Sequence, residues 1–486
     1  MNSSVRTYCA ETGTLVLLEA AVFREQLQRE LRTGARVVTL YGRREHDAAV
    51  ITAVLQGKDY ALHVLRAQVA VSTGYHELTS EWPALQCFER ELHEQTGMRI
   101  ADHPWLKPIR YQGQDQAALD AYPYYRVEGK QVHEVAVGPI HAGVIEPGAF
   151  RFMCLGEQVH HLEIQLGYQH RGVERLLLRS DPRALAPLIE TIAGDSSVAH
   201  SLAYCSALER LAGWTPSLAT DAVRMVMLEL ERVAMHLATL SGLATDLGFL
   251  QGAAAYGRLR TTAINTMLQI CGSRFGRGAI RPAGVAARAS PDLHHQMDVL
   301  REELALIGRH FLGARSVQHR LRAVGVLTTT DADALGMVGL VARASGLPID
   351  ARLGAQHGAF RLLPPSELHE DSGDCWARSR QRVREIDASL TWLSTVLAMF
   401  PCSDARRSEL GQLAPHQLSI SVVEGVRGEV VHALETGERG ELVHYKVQDP
   451  SLRNWLGLAI AMRNNEISDF PICNKSFDLS YCGHDL

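Results

Sequence analysis

The chain contains no CxxC pair. Its nine cysteines stand apart, at positions 9, 87, 154, 205, 271, 375, 402, 473 and 482. Without that spacing there is no zinc ribbon, no thioredoxin-type motif and no local iron–sulfur ligand set. An odd number of cysteines scattered over 486 residues also argues against a disulfide scaffold. Reduced thiols of a cytosolic protein are the simpler expectation. A basic excess is missing too: 49 Lys and Arg face 54 Asp and Glu, for a net charge of −5. That balance lacks the electrostatic footprint of a nucleic-acid binder. The opening MNSSVRTYCAETGT has no basic segment leading into an apolar one, so no signal peptide is expected. A long uninterrupted apolar run is also absent. The nearest approach, 237–256, carries Asp246 near its centre and several glycines. It reads as a buried helix with its following loop rather than a membrane span. Membrane attachment is therefore expected only through a partner.

What is present is a globular chain, 46% hydrophobic, long enough for two to four domains at roughly 100–200 residues each. Its 22 His are many, and His is the usual proton carrier near neutral pH. LVLLEAAVFREQLQREL has helical spacing, while ARVVTLYGR, AVITAVLQ and YALHVLRAQVAV read as strands. A further helix over 83–96 ends at Gly97, a fitting C′ residue. Residues 112–132 lose apolar periodicity and read as a linker. VAVGPIHAGVIEPGAFRFMCLG, rich in Gly and Pro, reads as strands with turns. Helices are expected over 183–212, 217–245, 252–272, 290–322 and 375–398. Residues 416–447 turn to strand alternation, and a last helix is expected near 451–463. DAVRMVMLELERVAMHLATL is apolar over most of its circumference, which marks a helix buried in a bundle. The fold class is α+β: a small α+β domain at 1–125, then a large helix-bundle core with peripheral strands at 126–486.

Several stretches together carry a family resemblance. GPIHAGVIEPG (138–148), LGYQHRGVERLL (166–177) and VAHSLAYCSALERL (198–211) come first. ERVAMHL, TDLGFLQG, YGRLR and RFGRGAIRPAGV follow within 231–285. GLVARASGLPIDAR (339–352), VEGVRGEVVH (423–432) and VQDPSLRNWLGLAIAMRNNEISDFP (447–471) complete the set. In this order they resemble the nickel–iron hydrogenase large subunit and its complex I relative, the 49-kDa-type subunit. ERELHEQTG and HPWL in the first part resemble the 30-kDa-type subunit of complex I. A fusion of the two is similar to hydrogenase-4 and formate-hydrogenlyase large subunits.

The resemblance also shows what has been lost. The family holds nickel and iron with two CxxC pairs, since soft thiolates suit both metals. The first pair falls on Ala193 and Ser196, the second on Ser480 and Gly483, so hydrogen activation at nickel is not expected and no metal ligand is assigned. With the sequence ending at Leu486, the tail peptide that maturation removes in true hydrogenases is not expected. The complex I relative binds a quinone through a His and a Tyr; these positions fall on Leu166 and Gly194. Expected of the chain is the role of large subunit in a membrane-associated, hydrogenase-like or complex-I-like oxidoreductase complex, with electron transfer driving ion movement. Its alternative is a non-catalytic subunit for assembly and coupling. Implied partners are an iron–sulfur small subunit, which would carry the 4Fe–4S cluster that this chain has no ligands for, and antiporter-like membrane subunits. The implied location is the inner face of the cell membrane.

Candidate site residues are His170, Arg171 and Glu174, as a proton or charge relay or else a structural ion network. Asp195 and His200 join them beside the cavity. Ser196 and His200 are four apart and share a helical face. A Ser–His nucleophile is conceivable there, but no third orienting group is placed. Arg343 and Arg352 are candidates for stabilising a bound cofactor's charge, with a salt bridge as the plainer reading. Cys473, Cys482 and His484 fit no metal-ligand template. The apolar tail 469–486 is expected to be buried against the segment near 191, bringing Ser480 and Gly483 toward Ser196 and Ala193.

Overall fold

The computed structural model describes residues 3–113, 116–129, 131–141, 145–179, 181–287, 293–400 and 408–486. Within the motif at 138–148, positions 142–144 lie outside the described residues, as do Cys402 and the start of the helix expected from 290.

Near the N-terminus, strands Arg36–Glu45, Ala48–Gln56 and Leu62–Ala70 form an antiparallel meander, and Leu17–Leu18 adds in parallel to Leu62–Ala70. Helices Ala20–Arg32 and Gln86–Thr96 cover one face. AVITAVLQ is an almost unbroken apolar run because both of its faces are buried. Ile51, Ala53 and Leu55 join Phe23, Phe88 and Leu92 in one core. Val54, with Val38 and Tyr41, packs the other way against Leu418, Ile420 and Val431. Those residues belong to a second four-stranded sheet, ordered Arg6–Glu11, Gln417–Gly425, Gly428–Thr436, Leu442–Gln448. The first strand of the chain thus pairs antiparallel with Gln417–Gly425, far away in sequence.

Helices Ser197–Leu211, Leu218–Asp246, Leu250–Cys271, Leu293–Gly313 and Cys375–Met399 form the main core. Leu218–Asp246 starts at Ser217, whose hydroxyl accepts the Thr220 N–H, a standard N-cap. Among the described residues no helix is long and apolar enough to cross a membrane. Asp246 closes that helix and lies 3.8 Å from Lys475.

Three expected helices need correction. The one over 183–212 is broken into a turn at Pro182–Ala184, a short helix Ala186–Ile189 and Ser197–Leu211. Gly194, Asp195 and Ser196 interrupt it, with Ser196 at φ −131° outside the helical region. The one over 290–322 splits at Ala314, where ψ is 121°. The first helix starts at Ala20, because Leu17–Leu18 is drawn into the sheet. Gly97 does take a left-handed conformation, φ 70°, at the end of Gln86–Thr96.

The tail folds inward as two helices, Phe470–Phe477 and Tyr481–Asp485. Phe470 packs on Phe150 and Phe152, with ring centroids 4.9 Å away in each case. The buried Asp485 carboxylate accepts the N–H groups of Gly167 and Gln169, both at 2.8 Å. The Leu486 carbonyl accepts the Arg171 N–H at 2.8 Å. Apolar burial and satisfied backbone donors together keep this chain end from fraying.

Candidate functional site

The break at 190–196, the turn at 425–428 and the tail at 478–486 meet around one cluster of polar side chains. Arg427 is its hub. Its guanidinium grips Asp195 bidentately, at 2.9 and 2.6 Å. The same group reaches Ser196 Oγ at 3.4 Å, donates to the Asp478 carbonyl, and lies 3.7 Å from the Asp478 carboxylate. Arg171 supplies a second bridge. It donates to the carbonyls of Thr191 and Ile192 on one side and Cys482 on the other. The tail is therefore fastened to the segment that carries Ala193 and Ser196, as its apolar content requires.

Under this cluster lies a row of buried polar side chains. His200 meets Asp449 through Nε2 at 3.2 Å and His432 through Nδ1 at 3.1 Å. His432 meets the Tyr445 hydroxyl at 2.8 Å. An ionised Asp449 can only accept, so His200 donates to it through Nε2; when His200 is neutral, its Nδ1 accepts from His432, which in turn accepts from Tyr445. Burial, then the neighbouring His200, holds His432 well below the usual histidine range. Burial alone would raise Asp449, but the hydrogen bond from His200 overcomes it and leaves the carboxyl below its ordinary value.

The donor set does not fit nickel–iron. Ala193 offers a methyl group, and the Ser196 hydroxyl accepts from Arg427. The Ser480 hydroxyl caps the last helix by accepting the Gly483 N–H at 2.9 Å. At Gly483 a Cβ would fall 2.6 Å from the Asp449 carboxyl carbon, so a side chain there requires Asp449 to move. Among the described residues no cluster of three or more His, Cys, Asp or Glu could hold a metal ion. The two positions that the resemblance matches to the quinone-binding His and Tyr are Leu166 and Gly194. Leu166 packs against Gly148, and Gly194 has no side chain.

Each residue singled out from the sequence has a definite place. His170 Nδ1 bonds the Asp485 carbonyl at 2.8 Å, helping to seat the tail. Glu174 lies on the far side of its turn. It accepts from Gln95 at 2.9 Å, from the Val447 N–H at 3.0 Å and from Lys446 at 2.9 Å. Lys446 also pairs with Glu91, which pairs with Arg110. Ser196 and His200 form no nucleophilic pair, since both imidazole nitrogens and the hydroxyl are engaged elsewhere. Cys473, Cys482 and His484 do not converge. Cys482 bonds Ser480, His484 bonds Asp485, and Cys473 lies beside Arg378.

Arg343 and Arg352 sit in a dense buried ion network. Arg343 donates to Glu385 at 2.7 Å and Glu424 at 2.7 Å. Arg352 donates to Asp350 at 2.6 Å and Glu229 at 3.0 Å. Glu385 also accepts from His236 at 3.0 Å. Burial alone would raise the Glu385 carboxyl, but Arg343 and His236 hold it well below the carboxylate range. Burial drives His236 down to about 4.

Sequence reasoning passed over Arg427, Asp449, His432, Tyr445 and Glu231. All lie inside or beside the quoted motifs. The signal was a charged or aromatic-polar residue within a run otherwise reading as buried, which demands a partner.

Comparison with known proteins agrees with this arrangement. Residues 246–409 match the family model described as respiratory-chain NADH dehydrogenase, 49 Kd subunit. Formate hydrogenlyase subunit 5 of Escherichia coli K12 is 26% identical over 84% of this chain and 76% of its own length. An NADH-quinone oxidoreductase subunit (type C/D) from Phocaeicola vulgatus is 26% identical, covering 82% and 84% respectively. Among solved structures, a chain of the membrane-bound sulfane sulfur reductase, an archaeal respiratory membrane complex, superposes with a TM-score of 0.67 at 20% identity, over 74% of this chain and all of that one. Over residues 246–409 the chain is similar to the complex I 49-kDa-type subunit, and over most of its length to large subunits of membrane-bound hydrogenases. Its relatives are subunits of hydrogenase and NADH-quinone oxidoreductase complexes.

Proposed function

We propose that this chain is the large subunit of a membrane-associated oxidoreductase complex that couples electron transfer to ion translocation, and that it performs no nickel–iron chemistry of its own. The observation that carries this reading is the rebuilt site. The positions that the resemblance matches to the four thiolates are Ala193, Ser196, Ser480 and Gly483, and the Arg427–Asp195 ion pair lies beside Ser196. Electrons would pass through a 4Fe–4S cluster in a small-subunit partner. Ion movement would occur in antiporter-like membrane subunits, with this chain docked peripherally at the inner face of the membrane. Two charge systems are suited to carry a response between them. One is the Tyr445–His432–His200–Asp449 row. The other is the network of Glu229, Arg352, Asp350, Arg343, Glu385 and His236. Fully paired buried charges respond as a unit when one member changes protonation.

The test is purification of the intact complex with metal analysis and redox titration. Iron for at least one 4Fe–4S cluster without stoichiometric nickel is expected, as is donor-dependent ion uptake once the complex is in vesicles. About one nickel per chain overturns the reading. A complex free of redox-active groups replaces it with a purely assembling and coupling subunit.

A further inference from the structure

Away from that site, the fully buried guanidinium of Arg378 has no carboxylate partner among the described residues. Its Nε donates to Ser476 Oγ at 2.8 Å, and its other nitrogens donate to the carbonyls of Gly373 at 2.7 Å and Gly325 at 2.9 Å. What remains around it is sulfur. One terminal nitrogen lies 3.3 Å from Cys375 Sγ and 4.0 Å from Cys473 Sγ. The ring of Phe477 covers its other side, 4.3 Å from the guanidinium carbon. One turn along the same helix stands Arg382, also buried, whose side chain donates to the Arg378 carbonyl at 3.2 Å. Buried positive charge calls for an anion, and here the nearest group able to become one is a thiol.

Cys375 is well placed for that role. It is the first residue of Cys375–Met399, a 25-residue helix capped by Asp374, where the helix dipole favours negative charge. Burial alone would raise its thiol, but the Cys473 S–H and Arg378 bring it down to about 6. Other cysteines go the opposite way: burial pushes Cys87 and Cys482 up to about 11. Gly325 closes the compartment. It sits at φ +61°, and a Cβ there would fall 2.4 Å from Cys473 Sγ and 3.4 Å from Cys375 Sγ.

We propose that Cys375 and Cys473 form a redox-active dithiol that takes a small neutral peroxide as its oxidant and closes to a disulfide between the tail and the helix at 375–399. The Cys375 thiolate attacks one peroxide oxygen. The S–O bond forms, the O–O bond breaks, and hydroxide leaves with the electron pair. That hydroxide takes the Cys473 proton and becomes water. The Cys473 sulfur then attacks the sulfenic sulfur, forming S–S and expelling a second hydroxide, which solvent protonates. Two electrons leave the sulfurs and one hydrogen peroxide becomes two waters. The requirement for a small, uncharged oxidant follows from the site, where neither cysteine is exposed.

The experiment uses the full-length chain, folded, treated with substoichiometric hydrogen peroxide, alkylated, and mapped as non-reduced peptides. The Cys375–Cys473 cross-link should be the first oxidised product. In Cys473→Ser, unfolding the peroxide-treated protein in dimedone should trap Cys375 as a sulfenic acid, and in Cys375→Ser, Cys473 should stay a thiol. If Cys482, which is partly exposed, is oxidised while Cys375 and Cys473 remain free, the proposal fails. It fails equally if the cross-link forms only in urea. The wild-type cross-link decides the matter even if a variant does not fold.

Discussion

Glu231 offers a sharp test of how the site is held. It lies beneath the first turn of Ser197–Leu211, 3% exposed. Its two carboxyl oxygens accept the N–H groups of Val198 at 2.7 Å and Ala199 at 3.1 Å. Burial dominates and pushes its carboxyl up to about 8. Those two donors pull it down and nearby Asp195 adds to the rise. In the unfolded chain the same group titrates near 4.5. Between these values the folded state keeps a proton that the unfolded state has released. Stability therefore falls as pH rises through that window, by up to about 1.4 kcal/mol per unit. Glu231→Gln cannot titrate, so its contribution is flat. It offers one oxygen to two donors, and the unpaired N–H costs about 1–3 kcal/mol. Near pH 5 the variant should be less stable than the wild type, and the difference should shrink or reverse by pH 8. Urea unfolding at half-unit steps from pH 5 to 8.5 measures it. If the difference between wild type and variant instead stays flat from pH 5 to 8.5, the helix N-terminus outweighs burial and Glu231 is ionised throughout.

Other predictions concern the supports of the site. Glu385→Gln should cost about 3–5 kcal/mol at neutral pH, because it leaves Arg343 and His236 partly unpaired in the core. Since the folded Glu385 titrates well below its ordinary value, its stabilisation holds above pH 4.5 or so and disappears on acidification through its folded value. The variant's unfolding should therefore depend less on pH between 3 and 5 in urea melts. Deleting 476–486 removes Phe477, Leu479, Tyr481 and Leu486, all buried. At about 1.5–3 kcal/mol for each side chain, the loss should lower the thermal midpoint severely, and a truncated chain melting like the full one would contradict the docking. We expect limited proteolysis to cut first within 112–132, between 1–125 and 126–486, with the two pieces held together by the pairing of Arg6–Glu11 with Gln417–Gly425. The exposed stretch 125–129 is the natural site, and resistance of the whole linker in the folded chain would refute that boundary.

Periodicity gave the long elements, because a helix such as Leu218–Asp246 and a strand such as Ala48–Gln56 each satisfy one period over many residues. It could not show the break at 190–196. That segment is apolar enough to read as helix, and only tertiary demands explain its opening: Asp195 turns out to Arg427, and Glu231 takes the freed N–H groups of Val198 and Ala199. The strand Arg6–Glu11 also escaped notice. It is too short to show a pattern, and its pairing with Gln417–Gly425 spans almost the whole chain. Motif spacing singled out His170, Arg171, His200, Arg343 and Arg352, and each is engaged in a hydrogen bond or ion pair. The candidate site was illegible where the partner is a single charge inside a strand or turn, as with Arg427 and Asp449.

The changes at the site depend on one another. Removing thiolates from a metal site leaves any arginine beside it without a counter-charge, and buried guanidinium in that state is costly. Asp195 lies between Ala193 and Ser196 in the segment AGDS and supplies that charge through two hydrogen bonds to Arg427. On the tail side, the absence of a side chain at Gly483 lets the Asp449 carboxylate approach closely, and Asp449 in turn orients His200. Restoring a cysteine at 483 alone would therefore strike Asp449 and disturb the row that runs through His200, His432 and Tyr445. Restoring one at 193 or 196 alone would place a thiol beside an ion pair that already satisfies Arg427. On the function proposed above, the Arg427–Asp195 pair and the His200–Asp449 contact are the charges that would carry the response of this site.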